Sequence, residues 1–276
     1  MKVRKVIGLD NQQPLASRLE GSTTKRIQNR GGFMNYQSRN RTAQEVKGAL
    51  YGTLLGDSTV TNRNEFSCEQ VSADLIRLKG EILRSIAPDI KVYYHERDRG
   101  NKQVIRGIEY NRNLSYIIQT NKHPYFSNFR EKLYHTGDKQ VTREVLRYLT
   151  PEGLALWFMD DGYLDYKASS NTRNLRICTD SFDEISINNI VQYFNDEWDI
   201  QSKVYMHKAG YGRVSKPRIS FNANNAQKFI SLVYKYFLPE FYYKLDLHYT
   251  NMTLKSKRCS DEYRNAVEYM LQHAPS

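Results

Sequence analysis

The sequence has few of the residues from which disulfide frameworks and structural metal sites are built. It contains three cysteines, Cys68, Cys178 and Cys259, which are widely separated and form no CxxC pair. An odd number of isolated cysteines argues against a disulfide scaffold and is typical of an intracellular protein. The six histidines lack the spacing of an HExxH helix or a zinc finger. We therefore expect neither a disulfide framework nor a structural zinc site.

Long apolar runs and nucleotide-binding glycine loops are also absent from the sequence. No apolar run approaches the roughly 20 residues that cross a bilayer, and the N-terminal segment lacks the apolar stretch of a secretory signal. No GxxxxGK[ST] segment is present, which argues against chemistry driven by a nucleoside triphosphate. These absences predict an intracellular protein without a membrane partner, in a compartment that the sequence leaves open.

What the sequence has in excess is positive charge. Lysine and arginine number 41 against 30 aspartates and glutamates, so the 276 residues carry a net charge of +11. An excess of this size favours a polyanionic partner, most often nucleic acid, although a basic protein without such a partner is the alternative. At roughly 150 residues per domain, the length predicts about two structural units.

The two ends of the chain differ from its middle. Residues 1–41 are rich in Arg, Asn, Gln, Ser and Gly and lack helical or alternating periodicity. They are predicted to form a basic arm, irregular or extended, that either contacts phosphate or stays in solvent. Residues 251–276 are predicted to be a partly helical C-terminal tail.

Two helices with clear start signals divide the rest of the chain into halves. Thr42 and Glu45 have the spacing of a capping box, and Thr150 precedes a proline at the first helical position, Pro151. After each start, the pattern predicts helix, strand, helix, two or three strands and helix, in the same order. We therefore predict a repeat with one half at residues 42–149 and the other at 150–250.

The repeat can be aligned residue by residue around its first helices. LYGTLLGDS (50–58) aligns with LALWFMDDG (154–162), which places Asp57 opposite Asp161. FSCEQVS and RICTDSF align on their cysteines, which places Gln70 opposite Asp180. Each half therefore has a helix whose last turn delivers a carboxylate, and the chain is predicted to be pseudo-twofold.

Packing these two helices side by side would bring their acidic ends together. Close approach is favoured by small residues on both helices: Gly48, Ala49, Gly52, Gly56 and Ala155. Helix C-termini already carry a negative partial charge, so Asp57 and Asp161 would repel each other unless a hard divalent cation lay between them. Mg²⁺ is suited to carboxylate and carbonyl oxygens, and such a site beside a basic surface is typical of phosphodiester hydrolysis.

The two aligned segments resemble the two motif copies of single-chain LAGLIDADG homing endonucleases. The second copy, within YLTPEGLALWFMDDGYLDY, is the more specific, and the resemblance extends over about residues 43–250. It implies an α+β fold of two pseudo-symmetric αββαββα halves that are joined at the paired motif helices. Each half would present a curved antiparallel sheet to the major groove of DNA, and the chain would act as a monomer.

The resemblance also implies the ligands of the metal ion. Asp57 and Asp161 match the metal-binding acids of the family. The backbone carbonyls just before them, at Gly56 and Asp160, match its backbone ligands. Mg²⁺ is the implied cofactor, and Mn²⁺ is expected to substitute for it.

Further residues match the family's catalytic positions. Gln70 and Asp180 occupy the place of a polar residue that orders active-site water. Lys244 matches a basic residue that stabilises the charge of the transition state, and Lys139 is assigned as its counterpart in the first half. For Lys139, an ordinary loop lysine is the alternative. The sequence departs from the motif at three positions: Ser58, Trp157 and Met159.

DNA recognition would depend on basic residues of the predicted sheets. Strands alternate faces, so a subset of these residues would reach the groove, and the others would contact phosphate or solvent. The candidates are Arg97, Arg99, Lys102, Arg106, Arg112, Arg173, Arg176, Lys203, Lys208, Arg213 and Arg218.

The function implied by the resemblance is site-specific cleavage of double-stranded DNA. The enzyme would hydrolyse both strands with Mg²⁺, leave short 3′ overhangs and promote the mobility of its own intron or intein. Two alternatives on the same fold stay open: a maturase that binds intron RNA, and a DNA-binding regulator that does not cut. The presence of both acids, Asp57 and Asp161, favours hydrolysis.

Overall fold

The computed structural model describes residues 23–26, 39–98, 103–105, 108–110, 114–170, 172–207, 215–245 and 259–274. The helices in these ranges are α1 Ala43–Leu55, α2 Ala73–Arg84, α3 Tyr125–Leu133, α4 Arg143–Leu146, α5 Pro151–Asp161, α6 Glu184–Trp198, α7 Ala223–Val233 and α8 Asp261–His273. Short 3₁₀ turns lie at Ala168–Ser170, Tyr234–Tyr236 and Pro239–Leu245. None of these helices has the length and apolar character that a membrane span requires.

The strands form one antiparallel sheet in each half of the chain. They are β1 Thr23–Arg26, β2 Ser58–Val60, β3 Phe66–Gln70, β4 Val92–Asp98, β5 Gln103–Ile105, β6 Ile108–Tyr110, β7 Ser115–Thr120, β8 Gly162–Lys167, β9 Thr172–Cys178, β10 Ser202–His207 and β11 Lys216–Phe221. The first sheet has the order β1-β4-β7-β3-β2 and the second β10-β11-β9-β8, while β5 and β6 form a separate hairpin. The α+β fold with two related halves is therefore confirmed.

Three strands add to what the sequence pattern predicted. β2 and β8 follow α1 and α5 directly, and each pairs with the next strand along the chain. β1 belongs to the N-terminal arm and lies antiparallel to β4 at the edge of the first sheet. Four residues of the arm are thus extended and paired. The C-terminal tail contributes helix α8.

The starts of α1 and α5 have the caps that the sequence predicted. The amide of Glu45 donates to Thr42 Oγ1 at 3.3 Å, and the amide of Thr42 donates back to Glu45 Oε2 at 2.7 Å. At α5, the amide of Gly153 donates to Thr150 Oγ1 at 3.2 Å. Each cap satisfies an amide that the helix leaves unpaired and stabilises its helix by about 1 kcal/mol.

Helices α1 and α5 pack backbone against backbone at the boundary between the halves. A Cβ atom on Gly52 would overlap the carbonyl of Gly153, and one on Gly153 would overlap the carbonyl of Gly48. The contact therefore requires glycine on both helices. The predicted role of Gly48 and Gly52 is confirmed, and Gly153 is a contact residue that the sequence reasoning did not identify.

The bulky motif residues Trp157 and Met159 pack into the second half. Trp157 is fully buried and lies against Phe182 and Phe194, with its ring centroid 6.4 Å from each. The sulfur of Met159 accepts a hydrogen bond from the amide of Leu238. These side chains fill the core of the second half, and the glycine contacts of the helix pair are kept.

Each sheet packs its apolar face on helices and leaves a more polar outer face. In the second sheet, Leu175, Ile177, Ile219 and Phe221 are buried beneath α6 and α7. In the first sheet, Cys68 and Ile118 are buried on the side that faces α2. Successive side chains on a strand point to opposite faces, so the residues that alternate with these buried ones have the opposite parity and form the outer faces.

Candidate active site

The paired helices deliver one aspartate each to the same end of their contact. α1 has Gly56 as its C-cap and Asp57 as the next residue, and Asp161 is the last residue of α5. Asp57 is exposed and Asp161 is half-buried. Burial, followed by the charges of Asp57 and Asp160, raises the pKa of Asp161 to about 7. Asp57 thus lies close enough to Asp161 for its charge to oppose the ionisation of Asp161.

A lysine reaches the last turn of each paired helix. Lys139, from the segment between α3 and α4, donates to the carbonyl of Gly56 at 3.0 Å. Lys244, from the turn Pro239–Leu245, donates to the carbonyls of Met159 at 2.6 Å and Asp160 at 3.2 Å. The two lysines therefore occupy related places in the two halves, at the carbonyls that the resemblance assigned to the metal ion.

Both lysines are held in a partly dehydrated, acidic environment. Burial lowers the pKa of Lys139 and of Lys244, while Asp57, Asp160 and Asp161 oppose that shift. A buried ammonium beside carboxylates is a preorganised positive charge that needs little rearrangement to stabilise a developing negative charge. This environment is the one expected of a basic group that acts on a phosphate.

The oxygen atoms at the two helix ends are of the chemical type that a hard divalent cation prefers. Within the described ranges, no group of three His, Cys, Asp or Glu side chains has the geometry to hold a metal ion. A cation held by the carboxylates of Asp57 and Asp161 would have to complete its shell with carbonyl, phosphate or water oxygens. Mg²⁺ and Mn²⁺ prefer such donors and keep several water ligands.

Gln70 lies between two of the acids. Its Nε2 donates to Asp160 Oδ1 at 3.0 Å and also to Asp57 Oδ2. The side chain points to the helix pair because Gln70 has the same parity on β3 as the buried Cys68. Gln70 thus lies beside the acids, as the resemblance implies, and it contacts two of them directly. Its role in ordering water stays a prediction.

The strand register corrects the alignment of the two halves at β3 and β9. Ser58 lies opposite Cys68, and its counterpart in the repeat, Gly162, lies opposite Ile177. Cys68 therefore corresponds to Ile177 and not to Cys178, so the alignment on the cysteines was wrong by one residue. A shift of one residue moves every side chain of a strand to the other face.

Asp180 consequently does not occupy the place of Gln70. The corresponding residue is Thr179, which is buried and donates to the carbonyl of Pro217 at 2.7 Å. Asp180 lies in the turn after β9, and its Oδ1 lies 3.5 Å from Nε of Arg218. The pairing with Gln70 was the reason for giving Asp180 a catalytic role, so that role is not carried further.

The carboxylate of Asp160 points into the first half and meets a residue that sequence reasoning missed. Lys79 on α2 places its Nζ 2.9 Å from Asp160 Oδ1 and 2.8 Å from Oδ2, and both side chains are 0% exposed. Burial alone would lower the pKa of Lys79, but the charge of Asp160 outweighs it and the pKa is raised. Lys79 follows Leu75 and Ile76 on the apolar face of α2, and a lysine at such a position signals a buried partner.

A second buried ion pair joins the halves at the other end of the helix pair. Arg41 Nη2 lies 2.7 Å from Glu152 Oε1, and Arg41 Nε donates to Oε2 at 2.9 Å. The two side chains are 5% and 6% exposed. A buried ion pair thus lies near each end of the helix pair. The bidentate Arg41–Glu152 pair lies near its N-terminal end, and the Lys79–Asp160 pair lies near its C-terminal end.

A cleft of about 590 Å³ opens beside the end of α5. Asp161 and Lys244 line it together with Tyr163, Tyr166 and Tyr243. The cleft joins the acidic helix end to strand β8, at the margin of the second sheet. A ligand in this cleft would contact an acid, a lysine and aromatic rings at once.

One predicted DNA contact of the first half lies on the outer face of its sheet. Arg97 on β4 has the parity of this face, and its Nη1 donates to Glu69 Oε2 at 2.7 Å. Ser115 donates to the other oxygen of Glu69, also at 2.7 Å. Arg97 is therefore held in place on the outer face while its side chain stays 36% exposed.

Two arginines of the second sheet also lie on the outer face and contact tyrosines. Arg176 pairs with Asp165 at 2.7 Å and lies over the ring of Tyr205, and only 4% of it is exposed. Arg218 donates to the hydroxyl of Tyr163 at 2.7 Å. Arg218 thus presents a fixed guanidinium, whereas Arg176 mainly supports its neighbours.

The other predicted DNA contacts differ in placement. Lys203 on β10 is exposed and shares the outer face with Arg218. Arg173 lies opposite Tyr166 and stacks on its ring at 4.2 Å, and it has the parity of the buried Leu175. The remaining candidates lie outside the described residues: Arg99, Lys102, Arg106, Arg112, Lys208 and Arg213.

Curated proteins of related sequence match part of this chain. The probable intron-encoded endonuclease 1 of Wickerhamomyces canadensis is 27% identical over 137 residues, which cover 49% of this chain and 57% of that protein. A protein named RecA from Mycolicibacterium flavescens is 24% identical over 71% of this chain and 45% of its own length. The chain thus spans about half the length of these relatives.

A solved structure matches most of the chain. The homing endonuclease I-WcaI, bound to its DNA recognition sequence, superposes with a TM-score of 0.58 and 21% identity over 74% of this chain and 86% of that one. At this identity the likeness concerns the fold. The LAGLIDADG DNA endonuclease family model matches residues 47–229, which include most of α1, all of α5 and both acids. The chain therefore belongs to the LAGLIDADG DNA endonuclease family.

Proposed function

We propose that the protein is a site-specific endonuclease that hydrolyses both strands of a DNA duplex with a divalent metal ion. The observation that carries this proposal is the pairing of Asp57 and Asp161 at two packed helix ends, each end contacted by its own lysine. The charge of Asp57 raises the pKa of Asp161 at this place, and the backbone carbonyls of Gly56 and Asp160 directly precede the two acids in the chain. A family of DNA endonucleases provides the reaction class.

Each group at the helix ends has a proposed role in the reaction. Asp57 and Asp161 hold Mg²⁺, with the carbonyls of Gly56 and Asp160 available as further ligands and Mn²⁺ as a substitute. The bound ion supplies Lewis-acid stabilisation of the phosphate and a water molecule of lowered pKa. Gln70 orients the carboxylate of Asp57 and nearby water.

The lysines supply positive charge to the phosphate. Lys139 and Lys244 already reach the helix ends and lie beside the acids. With DNA bound, their Nζ groups would turn to the scissile phosphates and stabilise the negative charge of the transition state. One lysine for each half supports one cut on each strand.

The sheets supply binding and specificity. Their outer faces carry Arg97, Lys203 and Arg218, and together with the net charge of +11 these residues favour a duplex along both sheets. Both acids come from a single chain, so a monomer suffices. Short 3′ overhangs and the mobility of an intron or intein, which the resemblance implies, are further parts of the proposal.

The test uses a duplex that spans the host gene without the insertion that encodes the chain. The protein is incubated with this duplex in Mg²⁺, in Ca²⁺ and in EDTA, beside a variant that carries both Asp57→Asn and Asp161→Asn. The proposal predicts cleavage of both strands at one position in Mg²⁺, binding alone in Ca²⁺, and no cleavage by the variant. Tight binding without cutting in Mg²⁺ would favour a regulator and contradict the proposal.

A further inference from the structure

We propose that Lys79 is a positioning residue for Asp57, acting through the carboxylate of Asp160 across the boundary between the halves. The inference rests on the proposed function, because Asp57 matters as a metal ligand only in a nuclease. It adds to that function a residue of α2 that contacts neither acid at the metal site.

The carboxylate of Asp160 is fully occupied within the protein. Lys79 Nζ bridges its two oxygens at 2.9 and 2.8 Å. Oδ1 also accepts from Gln70 Nε2 at 3.0 Å, and Oδ2 accepts from the amide of Asp57 at 3.1 Å. The side chains of Lys79 and Asp160 are 0% exposed, so water cannot replace these donors. Such a carboxylate is fixed in place and is not a free ligand for a metal ion.

Asp160 in turn holds Asp57 at two points. The hydrogen bond from the amide of Asp57 fixes the backbone at the end of α1. Gln70 Nε2 contacts both Asp160 and Asp57, so the side chain of Asp57 is held through Gln70. The position of the Asp57 carboxylate thus depends on Asp160, and Asp160 depends on the ammonium of Lys79.

The second half has no matching arrangement at the corresponding described positions. The counterpart of Asp160 is Gly56, which has no side chain to receive such a lysine. The counterpart of Gln70 is Thr179, whose hydroxyl donates to the carbonyl of Pro217. Loss of Lys79 should therefore disturb the position of Asp57 more than that of Asp161. The cleavage rates of the two DNA strands should then fall by unequal factors.

The test variant removes the whole ion pair, Lys79→Met with Asp160→Ala. Removing Lys79 alone would leave a buried carboxylate without its partner, whereas removing both charges avoids that penalty. The matched control removes the other buried pair, Arg41→Met with Glu152→Gln, which joins the same helices far from the acids. The single variant Lys79→Met shows how much stability the second substitution restores.

The readout is the cleavage rate of each strand, measured on an end-labelled target duplex in Mg²⁺, together with the melting temperature. The strand cut at the Asp57 end is the one that Asp57→Asn slows more. In the Lys79→Met, Asp160→Ala variant we expect this strand to slow by roughly ten- to a hundredfold, the effect of a small displacement of a reacting group. The other strand should change by less than about threefold, and the control pair should slow both strands alike.

Three results would overturn the inference. Equal slowing of both strands, or wild-type rates on both, would assign Lys79 a purely structural role. A double variant that fails to fold would also assign Lys79 a structural role, because the protein would then not fold even with both charges of the pair removed. A wild-type protein that cuts neither strand would instead contradict the proposed function, and the two failures are therefore distinguishable.

Discussion

The two halves end their central helices with the same acid but hold that acid in different ways. Asp57 is exposed, and its amide and side chain contact Asp160 and Gln70. Asp161 is half-buried, and its surroundings are the cleft beside Lys244. The reacting groups are thus repeated, while the contacts that support them are not.

The difference arises from the residue just before each acid. The first half has Gly56 and the second has Asp160, and a Cβ on Gly56 would overlap the carboxylate of Asp160. An empty position on one helix therefore accommodates a charged side chain from the other. A pseudo-symmetric pair can pack closely when its two members are complementary at such a position.

The largest expected effect comes from removing the acid of one end. Asp161→Asn should lower cleavage by more than about a hundredfold, because it removes a charged ligand of the metal ion and transition-state stabilisation with it. DNA affinity should change little. Strand cleavage and a gel-shift titration in Ca²⁺ measure the two effects.

Asp180→Asn is the matched control for that substitution. It removes a carboxylate of the same half that lies in the turn after β9, near Arg218. Cleavage should stay within a few-fold of the wild type. Equal losses in the two variants would return Asp180 to the active site.

The next largest effect is expected from a change at the glycine contact between α1 and α5. Gly52→Ala should destabilise the fold by about 3 kcal/mol, because the new methyl group would overlap the carbonyl of Gly153. Urea unfolding measures the loss. Gln44→Ala, at an exposed position of the same helix, should change the free energy of unfolding by less than about 0.5 kcal/mol. A Gly52→Ala protein as stable as this control would contradict the close packing.

The half-buried Asp161 should make the metal-free protein sensitive to pH. Its pKa is about 7 in the fold, against an ordinary 3.8, so the folded state holds the proton more tightly. The stability contribution of this group is present at low pH and is lost as pH rises from about 4 to 7. Asparagine does not titrate, so Asp161→Asn avoids this loss of stability at high pH. It should stabilise the metal-free protein at pH 8 by about 1–2 kcal/mol.

This prediction is measured by unfolding in EDTA at several pH values. The difference between Asp161→Asn and the wild type should grow between pH 4 and 7 and then level off. Saturating Mg²⁺ should reduce it at pH 8, because the cation stabilises only the wild-type site. A difference that is independent of pH would show that Asp161 is not strained in the fold.

The smallest expected effect concerns the helix starts. Thr42→Ala and Thr150→Ala should each destabilise the protein by about 1 kcal/mol. Thr42 takes part in two reciprocal hydrogen bonds with Glu45, and Thr42→Ala removes the side-chain acceptor of one of them. Thr150 accepts a single hydrogen bond, from the amide of Gly153. Thermal unfolding of the two variants measures the difference, and Thr→Ser at both positions should restore most of the stability. Thr150 also lies against Gly48 of α1, and a larger loss for Thr150→Ala would mean that this packing outweighs the cap.

Local sequence signals predicted the parts of the fold that depend on local chemistry. The capping residues Thr42 and Thr150 gave the helix starts, and periodicity gave α2, α6 and α7. The repeat then placed Asp57 and Asp161 together. Those features were readable because each depends on residues within a few positions along the chain.

The features that were missed depend on contacts between distant segments. β2 is three residues long, too short for a recognisable alternating sequence pattern, and β1 is paired with β4, a distant segment of the chain. The register of β9 could not be derived from aligned cysteines, because its pairing with the neighbouring strands β8 and β11 sets it. Lys79 stands on the apolar face of α2, but its partner Asp160 is 81 residues away.

The most direct test of the account is to locate the metal ion. Crystals of the protein with Mn²⁺ and a bound target duplex would give an anomalous difference map. The account predicts density between the carboxylates of Asp57 and Asp161, near the carbonyls of Gly56 and Asp160, with Lys139 and Lys244 turned to phosphate. Manganese bound elsewhere, with the two acids free of it in a complex that cuts DNA, would contradict the account.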